Sequence, residues 1–153
     1  MNYQVTSRTR TKGDPVAVFK DEAEVYQYTG GIFEEALADP VIGQKFADSG
    51  VILKVTHTEP DAVFTVDMPA KKVLYGDDAR NGPKPVVEMF MKADVGHRFW
   101  LGKVNISLAL AKGEMRAKGP VPKILKLVPL AKSLFPKYRE MLVRNGRADI
   151  AEG

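Results

Sequence analysis

Apolar and polar side chains alternate between residues 51 and 93, and this period of two constrains the fold more than any other feature of the chain. Because successive side chains of a strand point to opposite faces, each alternating run buries one face and exposes the other. Turn-forming residues interrupt the alternation, most clearly at Glu59-Pro60-Asp61. The pattern predicts an amphipathic sheet with a first strand from residue 51 and further strands at residues 62–68, 71–75 and 86–93.

Helical periodicity precedes this region. Asp21 suits a helix N-cap, and apolar residues then recur at spacings of three and four as far as Leu37. Gly30-Gly31 is expected to loosen or split this helix, because glycine restrains the backbone least. A second short helix is predicted from Asp39-Pro40 to about Ser49, since aspartate favours the N-cap and proline the first helical position.

Beyond the alternating region the pattern returns to helices, with one strand among them. Asp94 is a second candidate N-cap, for a short helix, and a further helix is predicted to end at Gly113. Residues 114–118 alternate again and predict a fifth strand. The last helical run has one apolar stripe, and Pro129 and Pro136 must kink or divide it because each lacks a backbone donor.

The composition suits one domain with a continuous core. The chain has 153 residues, 44% of them hydrophobic, a size at which about 70% of the unfolded surface becomes buried. It has no cysteine, which excludes disulfide scaffolds and cysteine nucleophiles. We predict a flexible N-terminal arm at residues 1–14, a single domain at 15–147 and a polar tail at 148–153. Without a secretory signal or a spanning apolar run, a cytoplasmic location is expected.

The net charge of +4 conceals an asymmetry. Residues 1–93 carry 11 basic and 14 acidic side chains, whereas residues 94–147 carry 12 basic and 3 acidic ones. One interpretation is a solvated helix face. The other is an anionic membrane surface, to which each Lys or Arg adds attraction of about 1 kcal/mol. Nucleic acid is not expected as a partner, because the basic residues are not interleaved with aromatic ones.

Motifs for catalysis and for metal binding are missing from the sequence. None of the four serines lies in a Gly-x-Ser-x-Gly elbow. His57 and His97 lack carboxylates at metal-ligand spacing, so both are interpreted as structural. Asp77-Asp78 is interpreted as a solvated turn and not as a calcium loop. We expect no enzymatic activity, no cofactor and no metal, although catalysis on an apolar substrate with either histidine as base is a competing hypothesis.

Methionine marks the face of the predicted sheet that is expected to lie under helices. These positions are Met68, Met89, Met91 and Met115. Methionine is unbranched and adapts to irregular contents, so a cavity lined by it can accept flexible hydrocarbon. Ordinary core packing is the alternative interpretation of the same pattern.

The order of features from residue 86 to residue 144 resembles the sterol carrier protein type two (lipid-transfer) family. It consists of a strand ending at Asp94, a helix with Phe99-Trp100, Leu101-Gly102-Lys103, the helix at 105–111, Gly113, a strand at 115–119 and an amphipathic terminal helix. The resemblance implies an α/β (α+β) fold, with a five-stranded, mainly antiparallel sheet covered on one face by helices and an apolar tunnel between them. It also implies non-catalytic binding and transfer of fatty acyl chains, acyl-CoA, sterol-like ligands or phospholipids.

Candidate site residues follow from the apolar pattern and from this resemblance. The expected tunnel lining is Phe64, Val66, Met89, Met91, Phe99, Trp100, Leu108, Leu125, Val128 and Phe135. Contacts to a head group or to a membrane are expected from Lys103, Lys123, Lys126 and Lys132. The alternative function is an accessory or scaffold protein that presents a hydrophobic intermediate, such as a polyprenyl quinone precursor, to enzyme partners. A homodimer through a sheet edge or through the apolar helix stripe is also left open.

Overall fold

In a computed structural model, residues 17–152 are described; the predicted arm at 1–14 lies outside them. Their centre is a sheet of five strands, which are β1 (Ile52–Thr58), β2 (Ala62–Asp67), β3 (Lys72–Tyr75), β4 (Val87–Lys92) and β5 (Met115–Lys118). The spatial order is β3-β2-β1-β4-β5. β1 pairs with β4 in parallel, and the other neighbours are antiparallel. This confirms the predicted five-stranded, mainly antiparallel sheet.

The helices of the described residues are α1 (Glu22–Val25), α2 (Gly31–Ala38), α3 (Ile42–Asp48), α4 (Asp77–Arg80), α5 (Ala93–Trp100), α6 (Ile106–Lys112), α7 (Val121–Leu125), α8 (Val128–Lys132) and α9 (Phe135–Arg144). A π-helical turn, Tyr26–Gly30, joins α1 to α2, and a 3-10 helix, Ala148–Ile150, follows α9. In this part of the chain none of the helices is long and apolar enough to cross a bilayer.

Prolines and one glycine pair set the helix boundaries as the sequence predicts. Pro129 and Pro136 lie in the first turns of α8 and α9, where their missing N–H groups leave no helical bond unmade. The π-helical turn ends at Gly30, where the loosening was predicted. A Cβ atom at Gly30 would lie 2.6 Å from Cε1 of Tyr75, so glycine allows the Tyr75 ring to pack closely against this turn.

Two local expectations are wrong. Asp94 is not an N-cap, since α5 begins one residue earlier and the Asp94 carboxylate accepts a hydrogen bond from the backbone N–H of Val18, at 3.0 Å. Asp77-Asp78 is not a simple turn but the start of α4. The carbonyl of Ala79 in α4 accepts a hydrogen bond from the Thr65 hydroxyl at 3.4 Å, so this short helix covers the second face of β2.

The residues after α9 pack on the domain, where the sequence predicts a polar tail. Ile150 and Ala151 are buried, and the Ile150 carbonyl is hydrogen-bonded to His97. The Arg147 guanidinium binds the Glu24 carboxylate at 2.6 Å and the Val18 carbonyl at 2.9 Å. These contacts join both ends of the described chain to each other.

Candidate functional site

The space between the sheet and the helices holds an apolar cavity of about 90 Å³, which we call the inner cavity. β1 and β4 form the middle of its floor, because their parallel register places Val55 beside Met89 and His57 beside Met91. All four methionines of the predicted inner face line it, which are Met68, Met89, Met91 and Met115. The sheet side of the cavity is therefore soft and deformable.

Aromatic rings form part of the opposite wall. The rings of Phe33 and Trp100 meet edge to face with centroids 5.2 Å apart, and the rings of Phe99 and Trp100 meet in the same way at 5.2 Å. Phe135 continues the cluster, 5.6 Å from the Phe99 ring. Edge-to-face packing restrains each ring, so the helix side of the cavity is stiffer than the methionine side.

A wider space of about 600 Å³, which we call the outer groove, adjoins the inner cavity. Phe99, Ile106 and Val128 line both spaces. The walls of the groove also carry polar groups, among them Lys103 and Lys132. The site thus consists of an apolar interior that adjoins a groove with positive charge.

His97 has a structural role. Its Nε2 lies 3.0 Å from the Ile150 carbonyl and its Nδ1 lies 2.8 Å from the Tyr138 hydroxyl. Because a carbonyl only accepts, Nε2 carries the proton and Nδ1 accepts from the tyrosine. Burial of the imidazole lowers the pKa of His97, and this keeps the ring neutral. Both ring nitrogens are therefore used within the fold.

His57 differs, because only one of its ring nitrogens is used. Its Nδ1 lies 3.1 Å from the Ala62 carbonyl, so Nδ1–H donates and Nε2 is left with a free lone pair. Nε2 is buried and has no hydrogen-bond partner among residues 17–152. Burial lowers the pKa of His57 to about 4. The imidazole lines the inner cavity as a neutral acceptor, a role that the sequence did not predict.

The same arrangement of sheet and helices occurs in solved structures at low sequence identity. The apo structure of sterol carrier protein 2 from Yarrowia lipolytica matches with a TM-score of 0.59 and 17% identity, over 76% of this chain and 95% of that one. The protein has the sterol carrier protein 2 fold. No protein-family model matches the sequence, and no curated protein matches it.

Two further solved structures share the sterol carrier protein 2 fold. Sterol carrier protein-2 from Aedes aegypti, in complex with the C16 fatty acid palmitate, matches with a TM-score of 0.52 and 18% identity, over 73% of this chain and 94% of that one. The UbiJ-SCP2 ubiquinone synthesis protein matches with a TM-score of 0.51 and 12% identity, over 72% and 88%.

Within this sterol carrier fold, most of the predicted lining residues reach one of the two spaces. Those at the inner cavity are Phe64, Met89, Met91, Phe99, Trp100 and Val128. Leu125 and Phe135 line the outer groove instead, together with Phe99 and Val128. Phe33 and Phe46 also line the inner cavity but were not predicted, because their helical spacing is equally typical of ordinary core residues.

Val66 and Leu108 lie away from both spaces. Val66 is fully buried in β2, where it pairs with Leu53 and Val73. Leu108 is 53% exposed. Helix α6 directs Ile106 and Ala109 inward. Leu108, two positions after Ile106, therefore lies on the opposite side of the helix.

The four predicted lysines divide into two pairs. Lys103 and Lys132 line the outer groove, and the Lys103 ammonium donates a hydrogen bond to the Glu152 carbonyl at 2.6 Å. Lys123 and Lys126 are exposed near the end of α7 and do not line the groove. The first pair lies in the wall of the groove, and the second pair faces solvent.

Proposed function

We propose that this protein binds the hydrocarbon chain of a lipid between its sheet and helices and transfers it, without catalysing a reaction. The observation that carries the proposal is the apolar inner cavity, lined by methionines and aromatic rings, with the outer groove beside it. Removing each methylene group from water contributes about 0.8 kcal/mol, so such a site favours long chains.

The two spaces suggest how a chain is divided between them. The inner cavity, at about 90 Å³, has the volume of roughly three water-sized or methylene-sized groups. The remainder of a long chain would occupy the outer groove, which is several times larger. Movement of flexible methionine side chains would extend the inner cavity into the predicted tunnel.

An anionic head group would lie in the outer groove near Lys132 and Lys103. Charge-assisted hydrogen bonds from an ammonium to a carboxylate or a phosphate are stronger than neutral ones. The protein from Aedes aegypti with the same fold holds palmitate, a ligand with this combination of long chain and carboxylate. We therefore propose fatty acyl lipids as the first ligands to test.

Catalysis with a histidine base has little support from the geometry. His97 uses both ring nitrogens within the fold. Because burial depresses the pKa of His57 to about 4, this imidazole is a weak base near neutral pH. Lipid binding therefore accounts for the apolar site better than catalysis by a histidine base does.

The second candidate function is presentation of a hydrophobic intermediate to enzymes. The similarity that favours it is the one to the UbiJ-SCP2 ubiquinone synthesis protein. A presenting protein is expected to co-purify with enzymes as a stable complex, whereas a free carrier is expected to purify alone with its lipid. Affinity purification under native conditions separates these alternatives.

The direct test is to purify the protein natively, extract it with organic solvent and identify the extract by mass spectrometry. We expect a lipid near one equivalent per chain, and displacement of that lipid by a fluorescent long-chain fatty acid. Protein that is free of lipid and also fails to bind the fluorescent fatty acid would contradict the proposal.

Membrane docking by the exposed lysines is a separate prediction. Reversing Lys123 and Lys126 to glutamate should weaken partition onto anionic vesicles at low salt by about tenfold or more, because each lysine near such a surface adds about 1 kcal/mol. Fatty acid affinity should not change, since neither residue lines the groove. The matched control is reversal of Lys45 and Lys84, which are also exposed and give the same change in net charge. Equal loss in both double variants would show that overall charge, and not a docking face, governs association.

A further inference from the structure

One buried polar side-chain atom of the inner cavity has no hydrogen-bond partner among residues 17–152, and it is an acceptor. His57 Nε2 has a free lone pair, and the methionine sulfurs are weak acceptors. Thr29 also lines the cavity, but its hydroxyl proton is donated to the Val25 carbonyl at 2.8 Å. A guest that forms a hydrogen bond with His57 Nε2 must therefore bring a donor.

The Nε2 edge of the His57 ring faces Gly96 of α5. A Cβ atom placed on Gly96, which also lines the cavity, would lie 3.9 Å from Nε2 and 3.5 Å from the Met91 sulfur. Glycine at this position of α5 leaves the space of a Cβ atom next to the imidazole on the helix side. A buried acceptor without a partner costs free energy, and a donor from a ligand removes that cost.

We infer that His57 accepts a hydrogen bond from a hydroxyl group at the buried end of the ligand. This inference rests on the proposed function and makes it more specific. His57 lines the inner cavity and not the outer groove, whereas Lys132 lines the groove and not the cavity. The preferred cargo is accordingly a long chain with an anionic head at one end and a hydroxyl at the other, as in an ω-hydroxy fatty acid.

The charge state of the imidazole agrees with a hydroxyl and not with a second carboxylate at this end. Burial holds the pKa of His57 near 4, so the ring is neutral at physiological pH and Nε2 is unprotonated. A neutral acceptor in an apolar cavity repels the lone pairs of a carboxylate and also lacks the charge to balance it. An alcohol O–H meets both conditions.

Two ligands of matched shape test the inference. In 16-hydroxyhexadecanoate a hydroxyl replaces the terminal methyl group of heptadecanoate, so the two differ at the buried end alone. The dissociation constants of both should be measured for the wild-type protein and for His57→Phe. We expect the ratio of the two constants to shift by about tenfold in favour of heptadecanoate when the acceptor is removed.

Thr29→Val is the matched control variant. It also removes a polar group from the cavity lining without a change of shape, but the Thr29 hydroxyl is already committed to the backbone. We expect the ratio for this variant to equal that of the wild type. A tenfold shift in Thr29→Val as well would overturn the assignment to His57.

The nitrogen-15 chemical shift of His57 Nε2 provides a measurement that needs no variant. It should move when 16-hydroxyhexadecanoate binds, and should move much less with heptadecanoate. If neither ligand binds the wild-type protein, the proposed function itself fails. If both bind and neither the ratio nor the Nε2 shift distinguishes them, the proposed function stands and the role of His57 is wrong.

Discussion

Replacing Ala131 with leucine is expected to weaken the binding of a long-chain fatty acid by about 50-fold and to leave the fold intact. Ala131 lies on α8 and lines the inner cavity. Leucine adds three carbon atoms, and the cavity of about 90 Å³ has room for roughly three such groups. Excluding three methylene groups of the ligand removes about 2.4 kcal/mol, which corresponds to the stated change in affinity.

The stability of this variant separates filling of the cavity from damage to the core. Filling an apolar cavity commonly stabilises a protein, so the free energy of unfolding should stay equal or rise. Ala111→Leu is the matched control, because Ala111 is exposed on α6 and lines neither space. Fluorescence titration with a long-chain fatty acid should give a wild-type affinity for this control. A fatty acid that binds Ala131→Leu as tightly as the wild type must lie elsewhere, and the proposed site would then be wrong.

The floor of this cavity could be predicted from the sequence because it depends on a local period. Alternation places Met89 and Met91 on one face of β4, and the structure brings both to the inner cavity. The parallel pairing of β1 with β4 could not be predicted from the same pattern. Alternation fixes which side chains share a face but not which strand lies beside which.

At the site, the structure differs from the sequence prediction in the direction of the Leu108 side chain and in the role of His57. Leu108 is among the predicted lining residues, yet a helix turns about 100° per residue and α6 directs this side chain to solvent. His57 continues the buried alternation of Leu53 and Val55. This position in the alternation indicates that the His57 side chain faces the interior. The hydrogen bond from Nδ1 to the Ala62 carbonyl depends in addition on the pairing of β1 with β2.

Contacts between distant parts of the chain could not be predicted at all. Arg147 and Glu24 are 123 positions apart, and Arg147 Nη1 donates to both carboxylate oxygens of Glu24 at 2.6 Å. Their side chains are 18% and 10% exposed, respectively. Burial alone would raise the pKa of Glu24, but hydrogen bonds from Arg147 and from the Lys20 backbone outweigh it and lower that pKa. The carboxylate is thus charged and depends on its partner.

Arg147→Met is accordingly expected to lower the free energy of unfolding by about 3 kcal/mol. Removing one member of a buried ion pair leaves the other charge without compensation, which typically costs 3–5 kcal/mol, and the remaining exposure places this pair at the lower end. In a domain of this size, the midpoint of thermal unfolding should fall by roughly 6–12 °C. Differential scanning calorimetry at neutral pH, where the carboxylate is ionised, measures both quantities.

Arg144→Met is the control for this prediction. Arg144 pairs with Glu35 at 3.3 Å, but these side chains are 59% and 39% exposed, and such pairs contribute less than about 1 kcal/mol. The same substitution three residues away should therefore have a small effect. If both variants lose equal stability, the pair between Arg147 and Glu24 does not stabilise the fold as argued.

Adding Glu24→Gln to Arg147→Met separates the charge from the other contacts of the arginine. Since the amide is neutral, the double variant should regain part of the stability that Arg147→Met loses. No recovery would mean that the loss comes from the hydrogen bonds to Val18 and Asp149. Neither Arg147 nor Glu24 lines the inner cavity or the outer groove. Lipid affinity measured well below the unfolding midpoint should therefore match the wild type, because this pair acts on the stability of the fold and not on the site.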